Sequence, residues 1–311
     1  MIIKVIRRSE RSIQVNRPRQ ASEQTVAWLF MTPALLGLTA FILMPFILAI
    51  ILSFTNTRLG SPLPVEWVGL REYIRLFHDT AFLRSLFNNV LFALVVVPVQ
   101  TTLALVLALW LNRPLRGRVV FRTLFFMPVV FPLSLIAVVW ILIFNPGSNG
   151  MMNHLLQIMT FGYWQAKDFL HDPLWALPAL MLTSIWQGVG LQMVVLLAAL
   201  QGIPAELYEA AAIDGARAWQ RFRYVTLPQL RNALVFVVIV TTILAFRVFD
   251  QVRIMTQGGP EDHSSTVVFA AVRAAFDRAQ VASGMAMSVV FFLIVLIITL
   301  VQRRLLRQSR N

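Results

Sequence analysis

Leu86-Phe87-Asn88-Asn89-Val90-Leu91-Phe92-Ala93-Leu94-Val95-Val96-Val97-Pro98-Val99-Gln100-Thr101-Thr102-Leu103-Ala104-Leu105-Val106-Leu107-Ala108-Leu109-Trp110-Leu111 is a run of 26 residues without one charge. About 20 mostly apolar residues suffice to carry a helix across ~30 Å of hydrocarbon, so the stretch is predicted to span a membrane. Five more stretches of the same kind flank it: Ala27–Phe54, Val119–Phe144, Leu174–Leu200, Asn232–Thr256 and Ser283–Gln302. The fold class expected is all-α, a polytopic membrane bundle of six helices. Pro33, Pro45, Pro98, Pro128, Pro132 and Pro178 lie inside these stretches, where neighbouring helices can re-satisfy the freed carbonyls, and they predict kinks.

Of the 311 residues, 58% are hydrophobic and only 13% charged, against about 25% charged in soluble domains. There is no cysteine, which excludes disulfides, thiolate catalysis and cysteine metal sites. His78, His154, His171 and His263 fall singly between the apolar runs, without metal-ligand spacing, and are expected to be solvated. With only Lys4 and Lys167 as lysines, the chain lacks the G-x-x-x-x-G-K-[ST] phosphate loop of an ATPase. No paired carboxylates or nucleophile triad appear either, so no enzyme activity and no cofactor are expected.

The formal charge of +13 is resolved by its distribution. Eighteen of the basic residues fall on one side of the predicted spans, in the two tails, the Arg113–Arg122 turn and the Arg217–Arg231 loop, against seven on the other. Positive charge collects on the cytoplasmic side, so both termini are expected inside and nucleic acid is not a partner. The organisation is then a basic tail over 1–26, an anchor helix over 27–54 that is too long for a cleaved signal, an external loop over 55–85, a core over 86–302 with a cytoplasmic loop at 201–231, and a basic tail over 303–311. Membrane lipid is the implied surroundings.

That cytoplasmic loop reads Gly202-Ile203-Pro204-Ala205-Glu206-Leu207-Tyr208-Glu209-Ala210-Ala211-Ala212-Ile213-Asp214-Gly215-Ala216. Pro204 suits the first helical position, and Glu206 and Glu209 complement the dipole in the first turns. Asp214 and Gly215 are expected to break the helix, with Asp214 capping a second one over Ala216–Val225 that Leu227-Pro228 ends. Small residues on an exposed helix admit close approach by another protein; a helix resting on the bilayer is the alternative.

Glu209-Ala210-Ala211, then Gly215, then Val225-x-Leu227-Pro228 resembles the "EAA" signature of bacterial ABC-importer permeases, with Val225 where Ile is commoner. The resemblance implies that this helix docks in a groove of a cytosolic ATPase. Val68-Gly69-Leu70-Arg71-Glu72-Tyr73 with Leu76-Phe77 and Asp79, Phe144-Asn145-Pro146-Gly147, and Thr256-Gln257-Gly258-Gly259-Pro260 with Thr266 are similar to stretches of the maltose-type and glycerol-phosphate-type permeases of the carbohydrate branch. Together they cover most of Thr32 to Gln302. The resemblance implies a second homologous permease, two ATP-binding-cassette ATPase subunits and an extracytoplasmic solute-binding protein as partners, in a bacterial inner membrane. Ion-coupled secondary transport or a channel are the rival readings; no convincing internal repeat or charged pore ring supports them.

Arg247, Asp250 and Arg253 interrupt the fifth span at a spacing of three, which on a continuous helix places them on one face. Arg247 would lie about 22 Å along the helix from Asn232. Intramembrane charges face a cavity or the bundle interior by default, so Arg247 and Asp250 are candidates for a solute path; a structural Arg–Asp pair is the alternative. In the fourth span Trp186-Gln187-Gly188 resembles the W-x-G stretch lining the pathway of maltose-type relatives, and tight helix packing is the alternative. Gln192, Ser184 and Thr241 are further polar candidates for the same wall.

Overall fold

The computed structural model describes residues 23–62, 64–114, 116–147 and 150–308. Of the two basic tails, residues 1–22 and 309–311 lie outside them. The chain divides at Leu48/Ala49 into two units. The first holds α1 (Glu23–Leu38), a π-turn over Thr39–Leu43 and the start of α2 (Met44–Ser53). Val26–Ser53 is long and apolar enough to cross a membrane, as expected for the anchor.

In the second unit, α3 (Arg71–His78) leads into α4 (Thr80–Leu111). The second span therefore starts six residues before the expected Leu86, because Asp79 caps it by accepting from the Ala81 N–H at 2.9 Å. The third span is not the single kinked helix expected. It consists of α5 (Arg118–Val130) and α6 (Leu133–Ile143), bent by 103°. Pro132 has no N–H to donate, and it pushes Phe131 into an extended conformation at φ −81° and ψ 143°. Among the described residues, five helices are long and apolar enough to cross, and six spans result if that bent pair is counted as one.

Beyond α7 (Met151–Met159), an external helix, α8 (Ala176–Gln201) is the fourth span. It presses against α5, where a Cβ on Gly190 would overlap the Phe125 carbonyl, the close backbone approach that small residues permit. α9 (Ala205–Ile213) and α10 (Ala218–Arg221) lie in the loop between the fourth and fifth spans, and a π-turn over Phe222–Thr226 joins α10 to α11 (Leu227–Phe246). The short α12 (Val267–Val272) and the last span α13 (Val281–Gln308) complete the unit.

α4, α8 and α11 supply two apolar cores at opposite ends. The outer one contains Phe92, Val96, Leu180 and Phe246; the inner one contains Ala104, Ala108, Met193, Leu196 and Leu230. Between them the same three helices carry Gln100 and Thr101, Ser184 and Gln187, and Thr241 and Thr242. Buried apolar layers above and below thus enclose a polar belt at mid-depth.

Candidate functional site

Two places concentrate the residues singled out by sequence: the loop between the fourth and fifth spans and a cavity at the polar belt. In the loop, Pro204 is the residue before α9 rather than its first, and Glu206 lies in the first turn. The helix ends as a Schellman motif. The Gly215 N–H donates to Ala212 O at 3.0 Å and the Ala216 N–H to Ala211 O at 2.9 Å, with Gly215 at φ +74°. A left-handed residue there is what this ending requires, and glycine adopts it without a Cβ penalty. Asp214 stays on α9 as its C-cap and does not cap the following helix. That helix is capped at Arg217, whose N–H donates to Gln220 Oε1 at 2.7 Å.

Leu227-Pro228 does not end the second short helix either. The π-turn takes an N–H from Leu227 to the Phe222 carbonyl, and this wider ring absorbs the donor that Pro228 lacks, so the helix runs on into α11. Ile213, Trp219 and Tyr224 are 87%, 70% and 75% exposed; Ile213 ends α9, while Trp219 and Tyr224 lie at the start of the candidate span Ala218–Phe246. One tether crosses from α9 to the π-turn: Tyr208 Oη and Thr226 Oγ1 lie 3.0 Å apart, and Thr226 is buried. Tyr208 was not picked out by sequence; a lone tyrosine in an Ala-rich helix was the available sign.

The cavity, about 280 Å³, is lined by Ser184, Gln187, Gly188, Thr241, Arg247 and Asp250, all six from the candidate list, and by Gln100 and Gln251, which sequence reasoning missed. Ser184 Oγ donates to Gln251 Oε1 at 2.7 Å. Gly188 makes room for the Gln100 amide, which a Cβ there would overlap. Trp186 and Gln192 do not line it. Trp186 packs edge-on against Trp140 at 5.7 Å. Gln192 is buried, donates to Thr241 Oγ1 at 2.5 Å and leaves its Oε1 without a partner.

Arg247, Asp250 and Arg253 do not share the face of one helix. α11 ends at Phe246, Arg247 is its C-cap, and Val248 and Phe249 are non-helical before a turn of helix leads into the π-turn over Val252–Thr256. Arg253 pairs with Asp277 at 3.1 Å. Among the described residues no ion pair joins Arg247 to Asp250. Gly258, Gly259 and Pro260 form the external turn that follows, in which Ser264 Oγ donates to Gly259 O at 2.6 Å. A Cβ on Gly258 would stand 2.5 Å from the Phe269 ring. The described residues contain no cluster that could hold a metal.

This is a helical membrane bundle with a cavity that gathers polar groups between its apolar cores and an exposed helix on the loop between its fourth and fifth spans. The model of the family described as "Binding-protein-dependent transport system inner membrane component" matches residues 100–311, and the chain belongs to that family. The trehalose/maltose transport system permease protein MalF of Thermococcus litoralis is 33% identical over 93% of this chain and 96% of its own length. The sn-glycerol-3-phosphate transport system permease protein UgpA of Yersinia enterocolitica is 33% identical over 78% and 81%. A crystal structure of a bacterial alginate ABC transporter, in complex with its alginate pentasaccharide-bound periplasmic protein, matches with a TM-score of 0.80 at 20% identity over 93% and 96%. The chain is thus a multi-pass permease component of the ABC-importer type.

Proposed function

We propose that this permease passes a carbohydrate or glycerol phosphate through the bacterial inner membrane, together with a second homologous permease and two cytoplasmic ATPase subunits, after a binding protein delivers the solute outside. The observation that carries the solute class is the cavity. Its wall sets amides and hydroxyls (Gln100, Ser184, Gln187, Thr241, Gln251), one cation and one anion, Arg247 and Asp250, among apolar side chains such as Phe92 and Leu133, a mixture that suits a polyhydroxylated molecule with apolar ring faces. Neutral donors and acceptors exchange for hydration one by one, and Arg247 extends the range to a phosphate ester. The names of the relatives support the same class.

The loop is read as the ATPase docking site, through Glu206, Glu209, Ala210, Ala211, Asp214, Gly215, Leu227 and Pro228. A helix that rests on lipid carries Lys and Arg for the anionic headgroups. α9 carries Glu206 and Glu209 and no basic residue, which favours a protein surface. The test is ATP hydrolysis by the reconstituted complex with binding protein, over a panel of maltose, trehalose, other sugars and polyols, and sn-glycerol-3-phosphate. Stimulation by one member is expected; uptake driven by protons or sodium with this chain alone would sink the reading.

A further inference from the structure

The break in the fifth span exposes backbone groups that a continuous helix would pair. The Phe246 carbonyl, which would accept from Asp250, accepts instead from Asn89 Nδ2 at 3.2 Å. The Val248 carbonyl accepts from Thr266 Oγ1 at 3.0 Å. The other end of the Asn89 amide, Oδ1, takes the N–H of Val267, the first residue of α12, at 2.8 Å. Asn89 and Thr266 are both fully buried, so no solvent stands in if they are lost. Two neighbours on the same stripe of α4 hold the same loop. Ser85 Oγ donates to Ser265 Oγ at 2.8 Å, and Asn88 Nδ2 to the carbonyls of Asp262 and Ser265, both at 2.9 Å.

Irregular backbone at membrane depth persists only where its polar groups are satisfied inside the protein or line a water-filled space. We infer that Asn89 and Thr266 are positioning residues that clamp the fifth span open at 247–249, and so fix Arg247 and Asp250 on the cavity wall. The stretch Thr256-Gln257-Gly258-Gly259-Pro260 with Thr266 then has a physical task. Its turn brings Thr266 back beneath the break, and the Ser264 hydroxyl ties that turn shut, donating to Gly259 O at 2.6 Å with Thr256 Oγ1 2.7 Å away. The importance of the clamp for transport rests on the reading of the cavity as solute path; the clamp itself does not.

The chain has no cysteine, so Val248→Cys makes a single reporter in this chain, inside the break, and its labelling in the complete importer complex is read on this chain's own band after the subunits are separated. Thr266→Val keeps the shape and removes the hydroxyl; Thr266→Ser restores it. The Val variant is expected to let N-ethylmaleimide label the reporter about five- to tenfold faster, the scale set by one hydrogen bond to a buried carbonyl. The Ser variant should label at the parent rate. Asn89→Leu, which strands two backbone groups, should label faster still, and if it does not assemble the Thr266 series decides alone. Equal labelling across that series overturns the clamp, whatever transport does. The second readout is the maximal uptake of maltose, trehalose or sn-glycerol-3-phosphate at saturating binding protein, expected to fall with Val and recover with Ser. Faster labelling with unchanged uptake upholds the clamp and removes the cavity from the solute path.

Discussion

Replacing Gly215 isolates the backbone contribution to coupling. Gly215 holds φ +74°, and nothing lies within 4 Å of a Cβ built on it, so within this chain a substitution there acts through conformation and not through crowding. A residue with a Cβ is disfavoured in the left-handed region by about 1–2 kcal/mol, and a β-branched one sits at the upper end. If the turn opens instead, two exposed hydrogen bonds of the Schellman motif are lost, each worth about 0.5–1.5 kcal/mol. Both routes give about 2 kcal/mol for Gly215→Val, roughly a thirtyfold loss of the native turn. Gly215→Asn is the control, because asparagine tolerates this conformation while matching valine in bulk. Membrane insertion should be normal in both. The assay is ATPase-subunit capture in detergent, together with solute transported per ATP hydrolysed in vesicles. The valine variant should be impaired in capture or in that ratio, and the asparagine variant close to the parent. If both fail equally, bulk against the docking partner is responsible and the conformational argument is refuted.

Tyr208→Phe removes the one hydroxyl that ties α9 to the π-turn, at about 1 kcal/mol. ATPase capture is expected to survive while transport per ATP falls, and an unchanged ratio would reject the tether as a coupling element. Arg247→Gln and Asp250→Asn should each lower uptake with insertion intact, because the two side chains do not pair; loss of insertion in both singles, restored by exchanging the charges, would show a structural pair instead. Gly190→Val forces a side chain into the α5 backbone at Phe125 and should destabilise the bundle by about 1–3 kcal/mol, read as thermal unfolding in detergent, whereas Gly202→Ala, whose nearest neighbour would be 3.5 Å away, should be near neutral. Expressed alone, the chain should turn over no ATP; azide-insensitive hydrolysis by the purified protein would contradict this.

The membrane-crossing helices were legible because an apolar run without charges has almost no other stable solution than a buried or lipid-facing helix. Their interruptions were not. Pro128 and Pro132 look alike in sequence, yet α5 runs through Pro128 while the chain turns by 103° beside Pro132. A proline marks where a break is inexpensive, and packing decides whether it is used. The ladder of three charges in the fifth span was misread for the same reason. Equal spacing defines a face only on an unbroken helix, and the charges themselves mark where this one stops. Six of the eight candidates for the solute path nevertheless meet at one cavity, because polar residues stranded in apolar spans have few places to go. Trp186 and Gln192 were drawn away by an aromatic neighbour and by Thr241, and Gln251 was hidden beside the more conspicuous Asp250.

The loop and the cavity stand at the two ends of α11. Its 20 residues amount to a rod of about 30 Å. Its inner end emerges from a π-turn held by Tyr208, and its outer end stops at a break held by Asn89 and Thr266. Between these irregular ends the hydrogen-bond ladder is not diverted. Thr241 and Thr242, the polar residues on its polar-belt turn, satisfy their hydroxyls within the helix, on the carbonyls of Val237 and Val238 at 2.7 and 2.8 Å, contacts that bend a helix slightly without interrupting it. A regular helix resists bending far more than its irregular termini do. On the proposed reading of the loop as the ATPase docking site, a displacement imposed there would be delivered to the break, beside which Arg247 and Asp250 stand on the cavity wall.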